Sequence, residues 1–418
     1  ESLVRALSGK WIVRSMNHFA NASEFKNKII ANIDNIGLCL GLFLVVRIAL
    51  SVWAVIVLNI YPYSIEFHWN ASAFDLYSQV VEEVYNEDSQ MHELTLWPWY
   101  RWDSEWYLRI AVDGYQPGGS AAFAPLYPAF IRVVGLVLGR RFLFAALLIS
   151  NSAAFLSCIL LYQETKNMFD APTAARTILY LLAFPTAFFL VSAYSESLFI
   201  FFTLLAWRLA GKYRWGRSVV FASLAVLTRS QGIGLILPLV YMWWKSSPSR
   251  PSWGILFASM PLTFLGWALY ARHVIGVEYP WQVLDQNWGL RLGWPWEGII
   301  NNGRLLFSGS FDGMVDPVST FLDWVFAILF IVLIIRASKI LSIEYALLMC
   351  VLILPALIKV SDGGMFVSIS RYVLPLFPGF MILGHTGQNP YFHWGWVVVS
   401  FALQAMASAA FVLWVWVA

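Results

Sequence analysis

Residues 36–60 read IGLCLGLFLVVRIALSVWAVIVLNI (Ile36–Ile60), a nearly unbroken apolar run. It exceeds the roughly 20 apolar residues that carry a helix across the hydrocarbon of a bilayer. Further apolar segments follow near 123–139, 142–163, 177–193, 196–210, 218–229, 232–244, 253–272, 320–336, 341–359, 371–384 and 393–417. The whole chain is 59% hydrophobic and only 12% charged, about half the charge of an ordinary soluble domain. These features predict an all-α polytopic membrane protein with about 9–12 transmembrane helices. The abundance of Trp agrees, because its ring suits the boundary between lipid and water.

The stretches between the apolar runs set the expected orientation. Residues 1–35 carry Arg5, Lys10, Arg14, Lys26 and Lys28 and read as a cytoplasmic amphipathic lead-in. Residues 61–122 are acidic, with ten carboxylates from Glu66 to Asp113 against only Arg101 and Arg109. Basic loops stay in the cytoplasm, so this large first loop is expected outside, as is a second polar loop over 273–319. The turns Arg140-Arg141, Lys212–Arg217 and Lys245–Arg250 are expected inside, although they cannot all be so if every apolar segment is one full crossing. Residues 36–418 read as a single membrane domain, and no cleavable signal peptide is evident.

Some chemistries find no motif. A net charge of +3 is too small for a nucleic-acid surface, and Cys39, Cys158 and Cys350 lie in apolar runs without disulfide or zinc spacing. The six His form no metal-ligand spacing. Neither an Asp-x-Asp motif, a Walker loop nor a dinucleotide fingerprint is present.

Polar residues concentrate elsewhere. Arg101-Trp102-Asp103-Ser104-Glu105-Trp106-Tyr107-Leu108-Arg109 interleaves charge with aromatic rings. As a helix it places Asp103 with Tyr107 on one face and Glu105 with Arg109 on another. Rings beside carboxylates can grip a sugar; the plainer alternative is an interfacial aromatic belt with incidental ion pairs, worth about 0–1 kcal/mol each. Phe123-Ala124-Pro125-Leu126-Tyr127-Pro128 starts a helix or closes a cavity that Tyr127 faces. Tyr194-Ser195-Glu196-Ser197 and Thr228-Arg229-Ser230-Gln231-Gly232 interrupt apolar runs, where an unpaired charge costs at least ~2.5 kcal/mol. Glu196 and Arg229 therefore either pair structurally, or Arg229 binds an anion with Gly232 allowing close backbone approach. Ser370-Arg371-Tyr372 follows a Gly-rich turn. Arg229 and Arg371, each beside Ser, suggest a phosphate clamp, because guanidinium presents a planar fork of donors; snorkelling to the interface is the alternative.

In combination these residues resemble the PIG-V family of GPI mannosyltransferases. The likeness rests on Arg101-Trp102-Asp103 with Ile110-Ala111 and Gly114-Tyr115, then Phe123–Pro128, Ala193-Tyr194-Ser195-Glu196, Arg229-Ser230-Gln231-Gly232 and Ser370-Arg371-Tyr372. It is close over roughly 100–240 and loose beyond. It implies a GT-C glycosyltransferase fold with its active site on the extracytoplasmic face, toward the periplasm or exterior in a prokaryote and the ER lumen in a eukaryote. The implied donor is polyprenyl- or dolichyl-phosphate mannose, the acceptor a glycolipid or glycan, and the product of inversion an α-mannoside. Asp103 is the implied general base. Arg101, Trp102, Glu105, Arg109, Tyr127, Glu196, Arg229, Gln231, Arg371 and Tyr372 are the expected substrate contacts, with no cofactor and no metal required. A transporter or flippase of a lipid-linked or anionic solute is the alternative, but the internal symmetry common in transporters is not found.

Overall fold

The computed structural model describes residues 34–61, 95–246, 251–309 and 317–417. Nearly all of the lead-in, and residues 62–94 of the acidic loop, lie outside the described residues.

The chain is built almost wholly of helices. The first is α1 (Asp34–Ile60), followed by α2 (Asp103–Asp113), α3 (Leu126–Val137), α4 (Phe142–Met168), α5 (Ala171–Leu182), α6 (Glu196–Gly211), α7 (Trp215–Thr228) and α8 (Ile236–Lys245). Then come α9 (Ser259–Tyr270), α10 (Pro280–Trp288), the strand β1 (Leu290–Leu292) and α11 (Glu297–Ser308). The remainder is α12 (Pro317–Ile340), α13 (Ile343–Ile358), β2 (Lys359–Ser361), α14 (Ile369–Tyr372), α15 (Phe377–Thr386) and α16 (Pro390–Val412). The two strands pair antiparallel, with Leu292 opposite Lys359.

Five of these stretches are long and apolar enough to cross a membrane unaided: α1, α4, α12, α16 and the run Gly254–Ile275 around α9. In α1 the residues Cys39, Phe43, Val46, Leu50, Ala54 and Val57 are buried at helical spacing, while Val45, Ile48, Val52 and Ile56 are exposed. An apolar face turned outward opposes folding in water, at about 25 cal/mol for each Å², and is at home in lipid. The chain is a multi-pass membrane protein.

Contacts between helix ends fix their directions. Lys166, near the end of α4, donates to Asn35 at the start of α1 at 3.5 Å, and Arg47 donates to Asn151 at 3.1 Å, so α1 and α4 are antiparallel. Ser150 donates to the Tyr194 carbonyl just before α6 at 2.8 Å, and Glu164 lies 4.0 Å from Arg208 near its end, so α4 and α6 are parallel. At the same end, Tyr345 of α13 donates to Glu164, and Lys245 at the end of α8 pairs with Glu344 at 2.6 Å. Followed through, α1, α4, α5, α6, α7, α8, α9, α12, α13, α15 and α16 run alternately between two ends, whereas α2, α3, α10 and α11 cap one of them. The capped end holds the described parts of both polar loops, which touch: Asn287 donates to the Gly118 carbonyl at 3.0 Å, and Trp288 packs on Trp106 and Phe123.

The basic turns divide between the ends. Lys212–Arg217 and Lys245 lie at the uncapped end. The Arg140-Arg141 turn does not join them, because α3 folds back on α4, with Tyr127 against Ala146 and Gly135 against Phe142. That hairpin keeps the turn at the capped end, a correction to the expectation that all three turns share one side.

Proline shortens several expected segments. The residue before a proline is pushed out of helical geometry. The run expected over 177–193 accordingly leaves α-helix at Leu182, before Pro185, and continues as a 3-10 turn over Ala187–Leu190. The run over 371–384 likewise resumes only at Phe377, past Pro375.

Candidate functional site

Three non-contiguous segments meet at the capped end. Asp103 is the first residue of α2, Glu196 is the first of α6, and Arg371 lies in the short α14. Arg371 reaches both carboxylates: its NH1 stands 2.8 Å from Asp103 Oδ2 and its Nε 2.9 Å from Glu196 Oε1. Arg229, just past the end of α7, pairs with the same Glu196 oxygen and lies 3.4 Å from Ser195 Oγ. The guanidiniums also rest on rings, Arg229 at 5.0 Å from the centre of Tyr372 and Arg371 at 5.4 Å from that of Tyr194. Burying one of these charges alone would be costly; two of each sign, hydrogen-bonded, make the cluster tolerable.

Local backbone geometry presents these side chains. Trp102 and Ser368, shortly before Asp103 and Arg371, both have positive φ, at 52° and 66°. Such a conformation costs a side-chain-bearing residue about 1–3 kcal/mol and persists where its surroundings enforce it. Around Trp102 the clamp is the Tyr194 hydroxyl, which accepts from the Asp103 amide at 3.2 Å and donates to the Arg101 carbonyl at 3.0 Å. Around Ser368 it is Asp323, which accepts from the Ser370 amide at 2.7 Å, with Thr186, which donates to the Ser370 carbonyl at 2.6 Å. At Gly232 the chain reverses against α7 so closely that a Cβ would stand 2.8 Å from the Val226 nitrogen. The close approach foreseen there is to the protein's own backbone, and it sets Arg229 and Gln231 beside the cluster.

The cluster opens into a cavity of about 320 Å³. Asp103, Tyr107, Arg229, Gln231, Arg371 and Tyr372 form its polar side, and Lys359 also lines it. The rings of Phe123, Trp267, Trp281 and Trp288 also line it. Tyr107 is hydrogen-bonded to Ser195 at 2.7 Å, and burial pushes its phenol up, so it remains a hydroxyl. Burial would also raise Tyr372, but Lys359, Arg229 and Arg371 outweigh it and hold that phenol below its ordinary value.

Six of the expected residues therefore converge: Asp103, Glu196, Arg229, Gln231, Arg371 and Tyr372. The others stand apart from the cavity. Arg101 is buried among backbone carbonyls, donating to Trp97, Tyr100 and Val412 at 2.7, 2.8 and 2.9 Å, and its guanidinium stacks on Trp414. Its place is that of a structural fastener between α2 and α16. Trp102 packs edge-on against Trp414 and Trp416. Tyr127 is fully buried beneath Tyr107, hydrogen-bonded to Ser150 at 2.7 Å. Glu105 and Arg109 lie on the α2 face turned from the cavity; burial pushes the Glu105 carboxyl up, partly offset by Arg109. Sequence reasoning did not single out Lys359 or Asp323. Each is a lone charge in or beside an apolar run, a signal that was available but weak.

Taken together, the fold and the cavity define a polytopic helical membrane protein with an ion-paired, aromatic-walled pocket at one end. Residues 41–242 match the family described as mannosyltransferase (PIG-V). GPI mannosyltransferase 2 of Schizosaccharomyces pombe is 30% identical over 142 residues, covering 32% of this chain and 30% of the relative. The protein of the same name from Drosophila melanogaster is 26% identical over 182 residues, covering 40% of each. The matches thus span less than half the length of these relatives. Among solved structures, ArnT from Cupriavidus metallidurans bound to undecaprenyl phosphate aligns at TM-score 0.44 and 18% identity, covering 74% of this chain and 59% of that one. The oligosaccharyltransferase AglB from Archaeoglobus fulgidus, with an inhibitory peptide and a dolichol-phosphate, aligns at TM-score 0.43 and 11% identity, covering 75% and 52%.

Proposed function

We propose that this protein is a GT-C-type mannosyltransferase that moves mannose from a polyprenyl- or dolichyl-phosphate donor to a glycolipid or glycan acceptor on the extracytoplasmic face. The observation that carries the reading is the Asp103 carboxylate at the cavity wall, held through one oxygen by Arg371. Among the described residues Oδ1 has no hydrogen-bond partner, which suits it to an acceptor hydroxyl. In this scheme Asp103 takes the hydroxyl proton as that oxygen attacks the anomeric carbon. The bond from that carbon to the phosphate oxygen breaks, and the leaving lipid phosphate gains a negative charge. Spare N–H donors of Arg229 and Arg371 meet that charge, as fixed donors do for a developing anion. Attack from the opposite face inverts a β-linked donor to an α-mannoside. The aromatic wall suits the apolar face of a sugar ring. Lys212, Arg217 and Lys245 at the far end support an extracytoplasmic cavity.

The test is purified protein in nanodiscs, given radiolabelled polyprenyl-phosphate mannose and candidate glycolipid acceptors. Transfer that needs no added metal and survives chelation is expected. Movement of an intact lipid-linked solute across proteoliposomes, with no transfer to any acceptor, would replace this reading with transport.

A further inference from the structure

Among the described residues the charges of the cavity do not balance. Asp103 and Glu196 supply two negative charges, and Arg229 and Arg371 supply two positive ones, all four joined by the ion pairs described. Lys359 also lines the cavity, and among the described residues it has neither an ion pair nor a hydrogen-bonded side-chain partner. Its backbone is well fixed. It is the first residue of β2, paired with Leu292, and Gly293 donates to the preceding Ile358 carbonyl at 2.8 Å. In β2 Val360 is fully buried, so alternation turns Lys359 to the other side of the ribbon. Among the described residues Lys359 thus faces the cavity beside Tyr372 without a carboxylate partner of its own.

We infer that Lys359 binds the phosphate of the lipid-linked donor, while the two arginines serve first to hold Asp103 and Glu196. The inference rests on the donor reading above. A sugar-carrying phosphodiester has one negative charge, which the ammonium of Lys359 neutralises. When the glycosidic bond breaks, the monoester left behind carries ≈ −1.5 to −2, and a flexible ammonium with three donors can follow that change. An arginine already forked onto carboxylates has less freedom to do so.

The experiment measures binding of undecaprenyl phosphate, without sugar, to the full chain in phosphatidylcholine nanodiscs. Lys359→Met should weaken binding by about 10–100-fold, the size of one charge-assisted hydrogen bond, and Lys359→Arg should restore most of it. Thermal unfolding of Lys359→Met should match the unsubstituted protein, since the side chain holds no internal partner. Equal binding by Lys359→Met and the unsubstituted protein would overturn the inference and leave the donor reading standing. No binding by the unsubstituted protein would overturn both. Inorganic phosphate bound as tightly, with the same dependence on Lys359, would overturn the assignment to a lipid phosphate.

Discussion

Arg371 and Asp103 are 268 residues apart in the chain, yet NH1 of one stands 2.8 Å from Oδ2 of the other. The same guanidinium reaches Glu196, so α2, α6 and α14 are joined through one side chain. Arg371→Gln would take a partner from the buried Glu196 and from Asp103 at the cavity wall. Breaking a buried pair in this way costs about 3–5 kcal/mol. The expected outcome is a clear fall in the unfolding midpoint in detergent together with lost turnover. Arg371→Lys should recover part of the stability but little of the turnover, because one ammonium cannot fork between Asp103 and Glu196. Unchanged stability in Arg371→Gln would remove the structural role argued for the ion pairs.

Asp103→Asn keeps the shape of the side chain but cannot accept a proton. Loss of a general base typically slows a reaction ~10²–10⁴-fold. Binding of the donor lipid should survive, since its phosphate is assigned to other residues. Glu105→Gln, two positions on but turned away from the cavity, should retain near-normal turnover. Both rates and donor affinity are to be measured on the same preparations; a collapse in Glu105→Gln alone would move the base to Glu105.

Much of this arrangement was legible in the sequence, and the parts that were not have physical reasons. Apolar runs announced the helices because a bilayer demands them, and the polar interruptions at Glu196, Arg229 and Arg371 announced the cluster because lipid tolerates charge only when it is paired. The partner of each charge could not be read: Arg229 with Glu196 was one of two alternatives, and neither carboxylate of Arg371 was foreseen. Arg101 illustrates the opposite error. It stands in the motif beside Asp103, but three backbone carbonyls fold around it, and carbonyl placement is invisible to residue type. Lys359 was hidden because a lysine just beyond an apolar run ordinarily snorkels to the interface, and only the β1–β2 pairing turns it into the cavity.

The directions assigned to the helices can be tested by labelling. Tyr213 is 69% exposed in the turn at the uncapped end, and Trp294 is 66% exposed at the capped end. Single cysteines at Tyr213 and Trp294, in a background lacking Cys39, Cys158 and Cys350, should react with a membrane-impermeant maleimide from opposite sides. A cysteine at Arg140 should follow Trp294. Labelling of positions 140 and 213 from one side would overturn the α3–α4 hairpin direction.

Asp323 lies on α12, 3% exposed, and its Oδ1 accepts the Ser370 amide at 2.7 Å. Through that bond it holds the segment in which Ser368 keeps a positive φ and Arg371 points at Asp103. Asp323 is outside the cavity lining, so it is a positioning residue. Asp323→Leu would leave the Ser370 amide buried without a partner, at a cost of about 1–3 kcal/mol, and would free Ser368 to relax. Asp323→Asn keeps an oxygen acceptor of the same length and should restore most of what the leucine removes. A purely structural role would lower the unfolding midpoint while leaving the kinetics of the folded fraction intact. The positioning role predicts more: in protein held well below its unfolding midpoint, Asp323→Leu should lose kcat by at least about tenfold, or 1.4 kcal/mol of barrier, while the donor KM shifts far less. Normal kcat for the folded fraction of Asp323→Leu would reduce Asp323 to a stabilising contact.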